Sequence, residues 1–325
     1  MPSQLLDDLN EPQRQAVVHS GTPLLVVAGA GSGKTRVLTR RIAYLMAERN
    51  AAPTEILAIT FTNKAANEMK ERVAHMVGPK ARSMWVSTFH SACVRILRNE
   101  AKRLNLKPSF TIYDTQDSVR MLSLVSKDLG IDPKSYSPKY LLGQISNLKN
   151  ELIDYEDAIS KAVTAQEQTV AQAYGEYQRR LMLASAVDFD DLIGHTVALL
   201  QAFPDVAEHY HRRFRHVLVD EYQDTNHAQY VLIRELVGNG KDGITPAELC
   251  VVGDADQSIY AFRGANIRNI VEFERDYSDA KTVVLEQNYR STQNILTSAN
   301  SVIEKNSGRP AKRLWTAEGS GEKIV

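Results

Sequence analysis

The stretch AGAGSGKT, Ala28 to Thr35, constrains this chain more than any other. The apolar run PLLVV (Pro23–Val27) precedes it and RVLTRRIAYLMAERN follows it. The first reads as a strand. The second reads as a helix from about Gly33 to Glu48, with Val37, Ile42, Tyr44 and Leu45 available to a core face. Between them, Gly29, Gly31 and Gly33 let backbone N–H groups converge on phosphate oxygens at a helix N-terminus, whose dipole favours anions. Ala28, Ala30 and Ser32 complete that backbone cradle, with Ala28 standing where the generic pattern asks for glycine. Lys34 supplies a point charge to the β- and γ-phosphates, and Thr35 a hydroxyl to Mg²⁺. The expectation is a site for a nucleoside triphosphate.

A second block completes the chemistry. In LVDEYQD, three apolar residues (Val217 to Val219) bury a strand and deliver Asp220 and Glu221 at its carboxyl end, where α/β sheets place their ligands. Asp220 suits Mg²⁺ coordination, and Glu221 suits a general base that orients and deprotonates the attacking water. Together the two blocks point to hydrolysis.

The strand–helix alternation repeats along the chain. EILAIT (55–60) leads into NKAANEMKERVAHMV, and MWVS (84–87) leads into FHSACVRILRNEAKRL. Strands return at HVLVD (216–220), LCVVG (249–253) and TVVLE (282–286). This is the pattern of an α/β fold with a parallel sheet under helices. From about Tyr113 to Ser185 the periodicity is helical without a convincing strand, so a helical insertion is expected there, broken near Pro133 and Pro138. VGNGKDGITPAEL reads as a surface loop. The chain stops at GEKIV in a strand-like pattern, which leads us to expect a further domain.

Composition narrows the partners. Lys+Arg and Asp+Glu both count 39, so no overall positive charge points to nucleic acid, and any such groove has to be local. Cys93 and Cys250 have no partner at metal-ligand spacing and read as buried thiols. No apolar run approaches the roughly 18 residues a membrane helix needs, and the expectation is a soluble cytoplasmic protein without a membrane partner.

LNEPQ, AGAGSGKT, ITFTNKAA, STFHS, DFDDLI, VDEYQDTN, VGDADQSIYAFRGA and LEQNYRS occur in the order seen in the UvrD/Rep/PcrA family. The chain is identified by this resemblance as a member of those superfamily 1 DNA helicases, which translocate 3′ to 5′ on single-stranded DNA. The resemblance implies a RecA-like P-loop NTPase domain (1–112 and 186–281), an all-helical insertion (113–185) and the start of a second RecA-like domain (282–325). It implies ATP and Mg²⁺ as ligands, with Gln13 reading the adenine, Tyr289 stacking on it and Arg36 a further contact near the nucleotide. Gln257 would sense the γ-phosphate and Arg290 would reach it. Lys34, Asp220, Glu221, Gln257 and Arg290 would form the catalytic set, with Thr35 and Asp220 on the metal.

On the DNA side, a translocase without sequence readout needs aromatic faces for bases and polar groups for the backbone. Phe61 with Thr62, Asn63 and Lys64, then His90, then Tyr260 and Phe262 with Arg263, look like such platforms. Taken singly, Phe61 and Phe262 fit core packing as readily as stacking. Many family members have Arg-Trp where this chain has Ala261-Phe262, a smaller stacking face. The implied function is an ATP-dependent 3′–5′ helicase or translocase for repair and replication, acting on single strands and junctions, with accessory proteins. Two alternatives stay open at the sequence level: the motor subunit of a helicase–nuclease, and a nucleotide-switched DNA-binding module with little turnover.

Overall fold

The computed structural model describes residues 2–259, 268–271, 273–306 and 312–324. Eight strands are present among them. They are β1 (Leu24–Ala28), β2 (Ile56–Thr60), β3 (Trp85–Thr88), β4 (Thr111–Ile112), β5 (Ala186–Val187), β6 (His216–Val219), β7 (Glu248–Gly253) and β8 (Lys281–Leu285). Six of these form one parallel sheet in the order β3-β2-β6-β7-β1-β8. Every residue of β1 and β2 is buried, as expected for strands covered by helices on both faces. Because all six strands run the same way, the residues that follow β1, β2, β6 and β7 emerge along one edge of the sheet. The sheet confirms the α/β, RecA-like fold class.

Two compact units emerge. The first comprises the described residues of Met1–Thr88, Ala207–Thr225 and Leu236–Val325, and contains the six-stranded sheet. The second comprises Phe89–Val206 and Asn226–Glu235. The segment boundaries expected at 112/113 and 185/186 lie inside this second unit, flanked by the short parallel pair β4–β5. Two-residue strands carry too little pattern to be read from sequence. Between them the chain is helical as anticipated, with helices Thr115–Asp128, Pro138–Asn150, Tyr155–Lys161 and Ala165–Leu183. The strand-like end of the chain is not a strand over 321–324.

The second unit's core joins Leu122, Val125, Leu141, Ile145, Tyr177 and Leu181. Lys149 is also buried, 2.7 Å from both Asp188 Oδ2 and Asp191 Oδ1. Burial alone pushes the ammonium down. Asp191 and Asp188 outweigh it and hold Lys149 above its ordinary range. Asp188 also caps the helix Phe189–Ala202 by accepting from the Asp191 N–H, so the DFDDLI block is a capping box built around a buried cation.

In the first unit, the helix Glu11–Val18 is tied to the helix Lys34–Ala47 by Arg41, which is 1% exposed. Its Nη1 donates to the carbonyls of Ala16 (3.0 Å), Val17 (3.3 Å) and His19 (2.7 Å). These are carbonyls that a helix C-terminus leaves without intrahelical partners. Arg41→Met should therefore lower the unfolding free energy by about 2–4 kcal/mol, because it strands buried acceptors. Arg49→Met, which breaks a partly exposed pair to Glu248 (a residue that Arg41 Nη2 approaches only to 3.7 Å), should cost about 1 kcal/mol or less. Urea-denaturation midpoints of the two variants check this; equal losses would contradict the capping role.

Candidate active site

The loop after β1 passes through two left-handed glycines, Gly31 (φ 68°) and Gly33 (φ 91°), before the helix Lys34–Ala47 begins. The helix starts one residue later than its periodicity suggests, because Gly33 serves as its left-handed N-cap. Neither glycine has room for a side chain. A Cβ on Gly31 would lie 2.7 Å from Asn288 Nδ2, and one on Gly33 2.8 Å from Gln13 Nε2. Ser32 is buried and its hydroxyl donates to the Gly29 carbonyl at 2.8 Å, closing the loop on itself.

Two side chains hold the loop from outside. Gln13 is fully buried, and its carboxamide is used at both ends: Nε2 donates to Ser32 O at 2.9 Å, and Oε1 accepts from Asn10 N–H at 3.2 Å. Asn288 is 2% exposed and donates to Ala30 O at 2.6 Å, while its Oδ1 accepts the N–H groups of Arg290 and Ser291, both at 2.7 Å. Tyr289 N–H donates to Gly31 O at 3.0 Å, and its hydroxyl accepts from Asn10 Nδ2 at 2.9 Å. The segment 288–291 is thus laced to the glycine loop, with the Tyr289 ring and Arg290 on the surface. Arg36 is engaged by Asp8, at 2.7 Å from its carboxylate and 2.8 Å from its carbonyl.

The carboxylates arrive from β6. Asp220 is 6% exposed, and burial, with Glu221 beside it, pushes its carboxyl up to about 6 against the pull of Lys34. Glu221 follows in a left-handed conformation (φ 50°, ψ 44°), one that costs a non-glycine residue of order 1–3 kcal/mol. Its Oε2 lies 2.9 Å from Nζ of Lys34, the first helical residue after the glycine loop. Asp224 is also pushed up to about 6, by burial and then by Glu221.

Sequence reasoning missed Gln223 and Asn288. Gln223 is 1% exposed; its amide donates to Glu221 Oε2 at 3.0 Å, and its Oε1 accepts from Asp254 N–H at 2.9 Å. It therefore ties the end of β6 to the end of β7. Gly253 makes that approach possible, since a Cβ there would meet Gln223 Oε1 at 2.7 Å. Past this point, Gln257 donates through Nε2 to Asp254 Oδ2. The only signal for Gln223 and Asn288 was their place inside the YQD and QNYR blocks; a polar side chain between strong motif residues carries no periodicity of its own.

The structure brings together Gln13, residues 28–35, Asp220, Glu221, Gln257, Tyr289 and Arg290 within the first unit. Phe61, Thr62, Asn63 and Lys64 follow β2 along the same sheet edge, with Thr62 capping the helix Asn63–Val77 through the Ala65 N–H. Asp220 N–H donates to Ile59 O at 2.9 Å, so this edge is continuous from β2 to β6. His90 belongs to the second unit. Its ring stands edge-on to Phe189 at 5.5 Å, and burial lowers its pKa below the ordinary histidine range. Tyr260, Phe262 and Arg263 lie outside the described residues.

The N-terminal domain of the UvrD/REP helicases matches residues 9–278, and the UvrD-like helicase C-terminal domain matches residues 283–325. The ATP-dependent DNA helicase UvrD1 of Mycobacterium tuberculosis is 68% identical over 327 residues, covering 99% of this chain and 42% of the relative. UvrD1 of Mycobacterium leprae is 65% identical over 331 residues, with the same coverage. The ATP-dependent DNA helicase PcrA of Bacillus subtilis is 51% identical over 322 residues, covering 99% of this chain and 43% of the relative. The chain thus spans less than half the length of these curated relatives. With its glycine loop, its Asp220–Glu221 pair and a match that runs through nearly all of its own residues, the chain belongs to the UvrD/REP helicase family.

Proposed function

We propose that this chain provides the ATP- and single-stranded-DNA-binding part of an ATP-dependent 3′–5′ DNA helicase or translocase acting in repair and replication. The observation that carries the reading is the Lys34–Glu221 contact at 2.9 Å, at the foot of a glycine loop and next to a buried Asp220. A cation and a candidate base held in mutual contact are poised for exchange. A triphosphate entering the loop draws Lys34 onto its β- and γ-oxygens, and Glu221 is left to take a proton from the attacking water.

The residues present suit Mg²⁺: Thr35 sits at the helix N-terminus and Asp220 is a deeply buried carboxylate facing Lys34. Both would hold the ion, which would neutralise phosphate charge there. Gln13 and Tyr289, both bonded to Asn10, are the groups for the adenine, and Arg290, beside Gly31, is the group for developing charge on the γ-phosphate. Arg36 is a further contact near the nucleotide.

For DNA, the proposed platforms are Phe61 to Lys64, His90, and Tyr260, Phe262 and Arg263, serving single strands and single–double-strand junctions. Gln257 stands three residues before Tyr260, so a change at the γ-phosphate reaches a base-stacking residue through one short loop. The organisation that goes with this reading is a motor domain of 1–112 and 186–281, an insertion of 113–185 and the opening of a second motor domain from 282, although β8, which spans that last boundary, still pairs with β1 of the first sheet. Accessory proteins and a cytoplasmic setting follow from work on chromosomal DNA. No described helix is long and apolar enough to cross a membrane.

Phosphate release from ATP, with and without single-stranded DNA, tests the assignment. Glu221→Gln should lower turnover by about 10²–10⁴-fold, the range for losing a general base, while ATP still binds. Lys34→Ala should abolish nucleotide binding or turnover. Normal rates in either variant would refute its role.

The raised carboxyl of Asp220 sets a pH dependence. Mg²⁺ needs the ionised form, so below about 6 each unit of pH should weaken Mg²⁺-dependent ATP binding by up to about tenfold. The fall should persist in Asp224→Asn and be absent when binding is measured without Mg²⁺. A flat profile between pH 7 and 5 would remove Asp220 from the metal site.

A further inference from the structure

Lysine is among the residues least suited to a dry interior, yet the side chain of Lys312 is 4% exposed. Its ammonium is paired with Asp254 Oδ1 and lies 2.7 Å from Asp256 Oδ2. Asp254 is itself 2% exposed, and its other oxygen accepts from the Gln257 carboxamide. Its backbone N–H donates to Gln223, whose amide donates to Glu221, which in turn contacts Lys34. Lys312 is therefore the far end of a continuous polar chain that begins at the lysine of the phosphate loop.

The backbone beside Lys312 is itself clamped. Arg313 N–H donates to Glu286 Oε1 at 2.7 Å, Leu314 is bonded through both its N–H and its carbonyl to Asn300, and Trp315 O accepts from Asn288 N–H at 2.7 Å. Asn288 is the residue that holds Ala30 and caps Arg290. One segment thus braces the phosphate site from two sides.

The electrostatics assign Lys312 a task. Asp254 and Asp256 are two carboxylates in a small, mostly dry space; Asp254 Oδ1 also accepts from the Asp256 N–H at 3.1 Å, but without a cation the repulsion between the carboxylates would loosen that cap and turn Asp254 toward water. Gln257 would then lose its acceptor. A fixed carboxylate forces the carboxamide to turn its NH₂ end toward Asp254, and since that end carries two N–H groups, one remains to donate to an anion.

We propose that Lys312 is a positioning residue for recognition of the terminal phosphate: by neutralising and fixing Asp254, it makes Gln257 present an N–H to the γ-phosphate. The inference rests on the reading of Gln257 as the γ-phosphate sensor. It makes the short segment after residue 311 a working part of the nucleotide site.

Calorimetric titration of the chain with Mg²⁺–AMP-PNP and with Mg²⁺–ADP tests it, the readout being the ratio of the two affinities. Lys312→Met should cut the preference for AMP-PNP by about tenfold, the loss expected for one hydrogen bond to a charged group, with ADP affinity within about twofold of the unaltered chain. Lys312→Arg should keep most of the preference. Gln257→Ala should lose it to the same degree, and combining it with Lys312→Met should add little, because the two act as one unit. If Gln257→Ala loses the preference and Lys312→Met keeps it, Lys312 is only structural and the inference falls while the sensor reading stands. If Gln257→Ala keeps it, the sensor reading falls and takes the inference with it. Should Lys312→Met fail to fold, Lys312→Gln, which keeps a donor beside Asp254 but removes the charge that fixes it, should still reduce the preference by about threefold; an unchanged ratio there overturns the proposal.

Discussion

The backbone at the carboxyl edge of a buried parallel sheet has run out of ladder partners, and its remaining N–H and C=O groups must be satisfied by something else. In this chain they are satisfied by the site's own side chains. Gln13 takes the Ser32 carbonyl, Asn288 takes Ala30, and Gln223 takes the Asp254 N–H. The candidate site is therefore not mounted on a finished fold. Removing one of these amides leaves a backbone group stranded and loosens the loop that is to receive phosphate, so stability and nucleotide geometry are one property here.

Charge follows the same economy. Around a single lysine of the glycine loop the structure gathers Asp220, Glu221 and Asp224, and burial lifts Asp220 and Asp224 to about 6. An excess of carboxylate over cation suits the Mg²⁺ and the movement of Lys34 to an anionic ligand that the proposed mechanism requires. The left-handed Glu221 adds local strain at the residue that faces the reacting water in the proposed mechanism.

The two units solve one problem alike. In each, a lysine with a side chain 4% exposed sits between two aspartates close in sequence: Lys149 with Asp188 and Asp191, and Lys312 with Asp254 and Asp256. A buried pair of this kind adds little net stability but strongly penalises the loss of one partner. It therefore fixes geometry. In the second unit that geometry is a helix N-terminus at Asp188; in the first it is the orientation of Gln257.

What the sequence determined was everything encoded in contiguous pattern. The apolar runs read at 23–27, 55–60, 84–87, 216–220, 249–253 and 282–286 announced the six parallel strands to within a residue, and the glycine loop and the Asp-Glu pair announced the expected phosphate chemistry. Ordered blocks identified the family across nearly the whole chain. Tertiary structure alone decided which polar residues meet. Asn288 reaches Ala30 across 258 positions, Lys34 reaches Glu221 across 187, and Lys312 reaches Asp254 across 58. Such pairings leave no periodic trace, because a single polar side chain has no repeat to reveal its direction. They are set by which strands become neighbours, and that is fixed only when the sheet closes its order around the core.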